Sequence, residues 1–175
     1  WHYQINPGET WDYNAAMDIE LADITIDGEN KQVILHAPKN GFFYVIDRTS
    51  GELISAEKFA KVNWAERIDV KTGRPVEIPA ARYPVGSGYL VYPSNFGAHG
   101  TEAMSYNPDT KLAYLPVRDQ AMFFVNPPDL ESWGFSPGFT ANIGVGIGVP
   151  EGMPAPEYEP TKKWLSAWDP VVQKE

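Results

Sequence analysis

Glycine and proline interrupt this sequence about once in every six residues, 15 Gly and 16 Pro in 175. Proline cannot continue a helix and glycine weakens one, so helices of ordinary length have almost no room here. Short strands joined by tight turns remain. Val33 to Ala37 is an apolar run, and Gly41 to Ile46 is a second, rich in aromatic and β-branched residues. Asp47-Arg48-Thr49-Ser50-Gly51-Glu52 follows as a turn, because Asp hydrogen-bonds its own backbone and Gly accepts positive φ. Asp69-Val70-Lys71-Thr72-Gly73-Arg74 repeats that design, and Asn107 to Lys111 does so without its glycine, between strands expected at 103–106 and 112–117. In Ala15 to Ile24 the alternation Met17, Ile19, Leu21 fits a strand, with Asp27 to Asn30 as its hairpin turn.

The expectation is an all-β fold: a sandwich, a barrel or a propeller. Charge and cysteine narrow its uses. Lys+Arg 14 against Asp+Glu 23 leaves a formal charge of −9, and no basic cluster is present to neutralise a run of phosphates, so nucleic acid is not a partner. No apolar stretch reaches the roughly 18 residues of a membrane span. With Cys 0, disulfides, thiolate metal sites and a C-x-x-C-H haem attachment are excluded within the chain. The three histidines are scattered, unlike a zinc site. Both ends read as cuts through a larger β protein: Trp1 to Gln4 begins in mid-strand pattern, and Leu165 to Asp169 enters a turn at Pro170 to Glu175 with no return strand. The stretch near 126–160, uncharged from Thr140 to Pro150 and Pro/acid-rich afterwards, is expected to be an irregular excursion.

Two long segments in order, Trp1-His2-Tyr3-Gln4…Pro7-Gly8-Glu9-Thr10-Trp11-Asp12-Tyr13 and Ala37-Pro38-Lys39-Asn40-Gly41-Phe42-Phe43-Tyr44-Val45-Ile46-Asp47-Arg48, resemble the quinoprotein alcohol dehydrogenases. The likeness continues through Asn63-Trp64-Ala65, Ile68 to Pro75, Gly97-Ala98-His99 and Met104 to Pro108. Ala167 and Asp169 fill the first positions of that family's propeller-docking motif, A-x-D-x-x-x-G-x-x-x-W. The resemblance implies an eight-bladed β-propeller of four-stranded antiparallel blades. Residues 1–175 would supply a partial propeller of about three middle-to-late blades. It also implies pyrroloquinoline quinone (PQQ) and Ca2+ as cofactors and a small alcohol as substrate. A cytochrome c or other acceptor would take the electrons, the location would be periplasmic, and the remaining blades would be the structural partner.

By position, Asp12 is the family's catalytic aspartate, a general base beside a quinone carbonyl polarised by a divalent cation. Without the resemblance, an Asp between two aromatics reads as a turn or cap residue. Lys39, with the adjoining Asn40, stands where the family sets a cation against the quinone oxygens; by itself Pro38-Lys39-Asn40-Gly41 reads as hairpin-turn chemistry. Many relatives place a cofactor-contacting Asn-Trp directly after the histidine that is His99 here. This chain has Gly100 and Thr101, so either the backbone substitutes or the branch has diverged. Two residues after the catalytic Asp, a second Asp marks lanthanide-dependent members; Asn14 stands there, which implies calcium, with Asp12 at the ion and Asn14 within reach. Glu102 reads as a solvated loop carboxylate, and the six tryptophans as packing anchors. Two readings compete with the enzyme: a non-catalytic propeller scaffold, which needs neither Asp12 nor Lys39, and a secreted carbohydrate-binding or hydrolytic β domain.

Overall fold

The fold was read from a computed structural model that describes residues 1–126, 146–149 and 151–175. Strands β1 (Glu20–Ile26), β2 (Glu29–His36), β3 (Phe42–Asp47) and β4 (Leu53–Lys58) form a four-stranded antiparallel meander in sequence order. Strands β5 (Ala65–Asp69) and β6 (Arg74–Glu77) pair with each other, followed by a single 3-10 turn at Pro79–Arg82. A third sheet joins β7 (Gly88–Val91), β10 (Met122–Val125) and β11 (Gly146–Ile147). The fourth joins β8 (Ser105–Asn107), β9 (Leu112–Asp119) and β12 (Lys162–Trp168). Among the described residues every pairing is antiparallel, and the expected all-β class is what forms. Among the described residues only one of the four sheets has the four strands expected of each blade.

β3 lies at the centre because its residues are apolar on both faces. Phe42, Tyr44 and Ile46 turn to a cluster holding Trp11, Tyr13 and Trp64. Phe43 and Val45 turn the other way, to Ala113, Leu115 and Val117 of β9 and Trp168 of β12. Side chains alternate across a strand, so one run of six residues joins two cores. Fully burying each large side chain is worth about 1.5–3 kcal/mol. Of the tryptophans, Trp11, Trp64 and Trp168 are buried as expected of anchors, whereas Trp1 is exposed.

The first strand departs from its expected pattern. β1 starts at Glu20, and the residues it buries are Ala22 and Ile24, while Ile19 and Leu21 are exposed. The register Ala22↔Val33 decides this, because Val33 and Leu35 already face the Trp168 core and Ala22 must share their side. Of the expected excursion, residues 127–145 and 150 lie outside the described residues, as does Trp133; Gly146–Ile147 pairs with β10, and 151–161 carry no strand, only a turn at Glu151 and Gly152. Among the described residues, no helix is long and apolar enough to cross a membrane.

The turn after β3 behaves as its sequence suggests. Asp47 Oδ1 accepts from the amides of Thr49 at 2.8 Å and Ser50 at 3.0 Å and from the Thr49 hydroxyl. These donors, the Thr49 hydroxyl foremost, hold the Asp47 carboxyl down at about 2. In the unfolded chain the same group titrates near an ordinary aspartate value of about 3.9. Its contribution to stability is therefore complete above that value and is lost as pH falls through the folded one. Melting curves between about pH 4 and pH 2 should show this loss, and an Asp47→Asn variant should lack that part of the pH dependence.

Candidate functional site

Residues 9–14 run without regular secondary structure and are pinned at alternate positions, Trp11 and Tyr13. Trp11 is fully buried; its indole donates to Ala81 O at 2.8 Å and its ring lies 5.0 Å from that of Trp64. Tyr13 is buried against both rings and donates its hydroxyl to Pro93 O. Burial, with the nearby Glu9 charge, pushes the Tyr13 phenol well above its ordinary pKa, so it stays a neutral donor. With both neighbours anchored inward, Asp12 projects outward, and its backbone stands at φ 64, in the left-handed region. That conformation is uncommon for any residue but glycine, although Asp and Asn tolerate it best. Glu9 holds the strained segment from beneath, its Oε2 accepting from Trp11 N at 2.8 Å and Tyr13 N at 3.0 Å.

Lys39 meets Asp12 there. Its ammonium donates to Asp12 Oδ2 at 3.1 Å and to the Asp12 carbonyl at 3.0 Å. The lysine side chain is 13% exposed and the aspartate 62%. Two of three ammonium donors are engaged, which leaves one. The two sequence-predicted residues, 27 positions apart, thus form one ion pair. Asn14 joins them, its amide Nδ2 lying 3.4 Å from Asp12 Oδ1.

The other expected residues sit differently. Asn40 is fully buried, its amide donating to Asn6 Oδ1 and Tyr44 Oη, each at 2.8 Å, while its Oδ1 accepts from Phe42 N at 3.1 Å. It builds the turn that carries Lys39 and has no surface left for a direct contact. Gly100 is buried against an ion pair: a Cβ there would fall 2.7 Å from Glu102 Oε2 and 2.9 Å from Arg118 Nη2. Thr101 is exposed, and among the described residues neither it nor Gly100 hydrogen-bonds to Asp12 or Lys39. Glu102 is no free carboxylate. Arg118 donates to it at 3.0 Å, and its pKa is lowered, chiefly by its own backbone amide and then by Arg118. The sequence reading missed Glu9, Gly97 and the partners of His99. Glu9 had a signal, an acid two residues before Trp11, whose side chain can reach the amides ahead of it.

An apolar groove of about 450 Å³ opens between the first residues of the chain and the meander, lined by Ile5, Asn14, Ile34 and Ile46; neither Asp12 nor Lys39 forms its wall. Among the described residues no three acids or histidines cluster as a complete metal site. Asp12 and Asn14 stand side by side, and with the Asn14 amide turned to present Oδ1 in place of Nδ2 the pair would offer oxygens to one edge of a site for a hard cation that needs six to eight.

Known proteins match this chain in sequence and in fold. The family described as "PQQ: Glucose/ethanol/alcohol dehydrogenase, beta-propeller domain" matches residues 1–62. The chain is 46% identical to the quinohemoprotein alcohol dehydrogenase ADH IIB of Pseudomonas putida, over 99% of this chain and 24% of that protein. It is 42% identical to the 1-butanol dehydrogenase (cytochrome c) of Thauera butanivorans, over 100% of this chain and 25% of that protein. The crystal structure of quinohemoprotein alcohol dehydrogenase from Comamonas testosteroni superposes with a TM-score of 0.86 at 40% identity, covering 99% of this chain and 26% of that one. A europium-containing methanol dehydrogenase superposes at 0.78 with 29% identity, covering 98% and 29%. The chain spans about a quarter of the length of the curated relatives it matches, and its fold is part of a β-propeller of this kind.

The Glu9 contacts generate a test. Glu9→Ala leaves the Trp11 and Tyr13 amides without their acceptor, which should cost about 1–3 kcal/mol. Amide hydrogen exchange should accelerate at those two positions more than at Phe43 or Val45.

Proposed function

We propose that this chain, related over its whole length by sequence and fold to the quinoprotein alcohol dehydrogenases, carries the general base and a cofactor-facing cation of an enzyme that oxidises an alcohol to an aldehyde or ketone. The observation that carries the reading is the Asp12–Lys39 pair: an exposed carboxylate in a strained conformation, with a largely covered ammonium on it. Left-handed strain in a non-glycine residue persists where the surroundings impose it, and it concentrates at functional sites. When bound, pyrroloquinoline quinone would supply the two-electron acceptor, a carbonyl able to take hydride. Lys39 would hold it through the remaining ammonium donor, and Asp12 with Asn14 would furnish oxygens toward a divalent cation.

The proton falls to Asp12. Oδ2 is occupied by Lys39, so the carboxylate takes the hydroxyl proton of the alcohol on Oδ1, which among the described residues only Asn14 approaches. Lys39 keeps the carboxylate aimed, and a carboxylate held beside the hydroxyl of the alcohol is placed to act as its base. Trp11 and Tyr13 hold this geometry by being immovable. The cation read here is Ca2+: Asn14 offers a neutral amide where a trivalent ion would need a further carboxylate. The acceptor is a cytochrome c or similar carrier and the location periplasmic; the cytochrome c in the name of the Thauera relative supports the acceptor. About three propeller blades over residues 1–175, with the remaining blades as partner, complete the reading.

The test uses the full-length protein reconstituted with the quinone and calcium and assayed for alcohol-dependent dye reduction. Asp12→Asn should lower kcat by about 10²–10⁴-fold, the usual worth of a positioned base, while quinone still binds. Undiminished turnover in that variant would overturn Asp12 as the base, and failure of the parent to bind quinone or turn over any alcohol would favour the scaffold. For the metal, the parent should be active with calcium, and Asn14→Asp should shift its preference toward lanthanum; a parent that needs lanthanum and is not restored by calcium would reverse the assignment.

A further inference from the structure

Three backbone carbonyls around Lys39 are each claimed from elsewhere in the chain. His99 Nδ1 lies 2.7 Å from Ala37 O, Ala98 N donates to Lys39 O at 2.9 Å, and Trp64 Nε1 donates to Asn40 O at 2.8 Å. Two of these partners are consecutive residues of one loop. Gly97, just before them, lies directly against the lysine: a Cβ there would fall 2.5 Å from Lys39 Cγ and 2.6 Å from its Cα. The His99 ring is fully buried, and its other nitrogen, Nε2, lies 2.8 Å from Glu102 O. Glu102 is in turn tied to Arg118 on β9, whose own amide donates to Ala98 O at 2.8 Å. The imidazole therefore stands between the segment that carries Lys39 and the far end of the 97–102 loop, and since a neutral ring has one N–H for these two carbonyls, the Nδ1–H tautomer is the one that ties it to Ala37.

We propose that His99 is a positioning residue for Lys39: through the Ala37 carbonyl it holds the backbone that carries the ammonium, and so sets where that ammonium meets the quinone. The proposal rests on the reading of Lys39 as a cofactor contact. A lysine has a flexible four-carbon stem, so its charge is placed only as well as its Cα and the walls around the stem. Here both are supplied by residues 97–99. A misplacement of about 1 Å in such a group costs on the order of 100-fold in rate. A merely structural histidine would instead tie the two segments together without preference for either nitrogen, as buried polar groups generally find partners.

The two ring nitrogens can be separated by substitution. Asparagine carries its amide nitrogen near the place of Nδ1, and glutamine near that of Nε2. His99→Asn therefore keeps a donor for the Ala37 carbonyl, and His99→Gln offers one only to the Glu102 carbonyl. In the full-length protein, affinity for pyrroloquinoline quinone is read by quenching of tryptophan fluorescence, with melting temperature as a check on folding. The set is the parent, Lys39→Ala, His99→Asn, His99→Gln and the Lys39→Ala/His99→Gln double variant. Lys39→Ala should weaken quinone binding about tenfold or more, His99→Gln about fivefold or more, and His99→Asn less than about twofold. In the Lys39→Ala background, His99→Gln should have no further effect, because groups acting through one another are not additive. Parent-like binding by His99→Gln, or an equal loss in both backgrounds, overturns the proposal while leaving Lys39 as a cofactor contact. Parent-like binding by Lys39→Ala overturns that reading, and the proposal with it. If His99→Gln does not fold, His99→Asn decides: near-parent affinity supports the proposal, and a loss matching that of Lys39→Ala overturns it.

Discussion

The turn from Ala37 to Gly41 governs what faces Asp12, because its buried carbonyls have to find donors. In a strand they would find them across a ladder; in a turn they must be met by side chains or by another loop. This turn uses both. The Trp64 indole, the Ala98 amide and the His99 ring close on it from two directions, and the Asn40 amide fills its interior. Gly41 ends it at φ 89, where a Cβ would fall 2.4 Å from Val62 Cγ2, so neither the conformation nor the space admits a side chain. What emerges is a rigid platform from which one long side chain, that of Lys39, reaches Asp12.

The facing segment is built on an opposite plan. Instead of capturing carbonyls it anchors two aromatic rings, and the residue between them takes the strain. A left-handed conformation costs roughly 1–2 kcal/mol for an ordinary residue. Burial of Trp11 and Tyr13, at about 1.5–3 kcal/mol for each large side chain, is enough to offset it. Arg82, whose guanidinium carbon lies 4.6 Å from the Trp11 ring, and Tyr83, which donates to Thr10 O at 2.5 Å, bind the same segment from the end of the 3-10 turn and the residue after it. Function at Asp12 therefore depends on packing some distance from it.

The parts of this that were legible in the sequence are those with local causes. β3 could be read because five consecutive apolar and aromatic residues, Phe42 to Ile46, have few other destinations, and the Asp47 turn because its donors lie two and three residues on. Asp12 and Lys39 were found by resemblance, since nothing local says that residues 27 apart will touch. Ile19 and Leu21 misled because alternation shows a strand but not which face is covered, and Val33 on the next strand decided that. What His99, Gly97 and Asn40 touch was out of reach for a related reason. The contact between His99 and Ala37 spans 62 residues, and Asn40 looks in the sequence like an ordinary turn asparagine until Tyr44 and Asn6 close over it.

The unequal exposure of the ion pair has a consequence for reading any substitution at Asp12. Lys39 is 13% exposed and its two protein acceptors are both atoms of Asp12, so the lysine depends on the aspartate more than the reverse. A covered ammonium that loses its carboxylate carries a desolvation cost with no partner to offset it, whereas an exposed carboxylate that loses its lysine turns to water. Asparagine at position 12 keeps an oxygen for the ammonium and is itself suited to left-handed backbone. Alanine keeps neither, leaving only the carbonyl contact. Loss of activity in an alanine variant would therefore mix a missing base with a displaced lysine, while the asparagine variant removes the proton acceptor and leaves the platform beneath Lys39 in place.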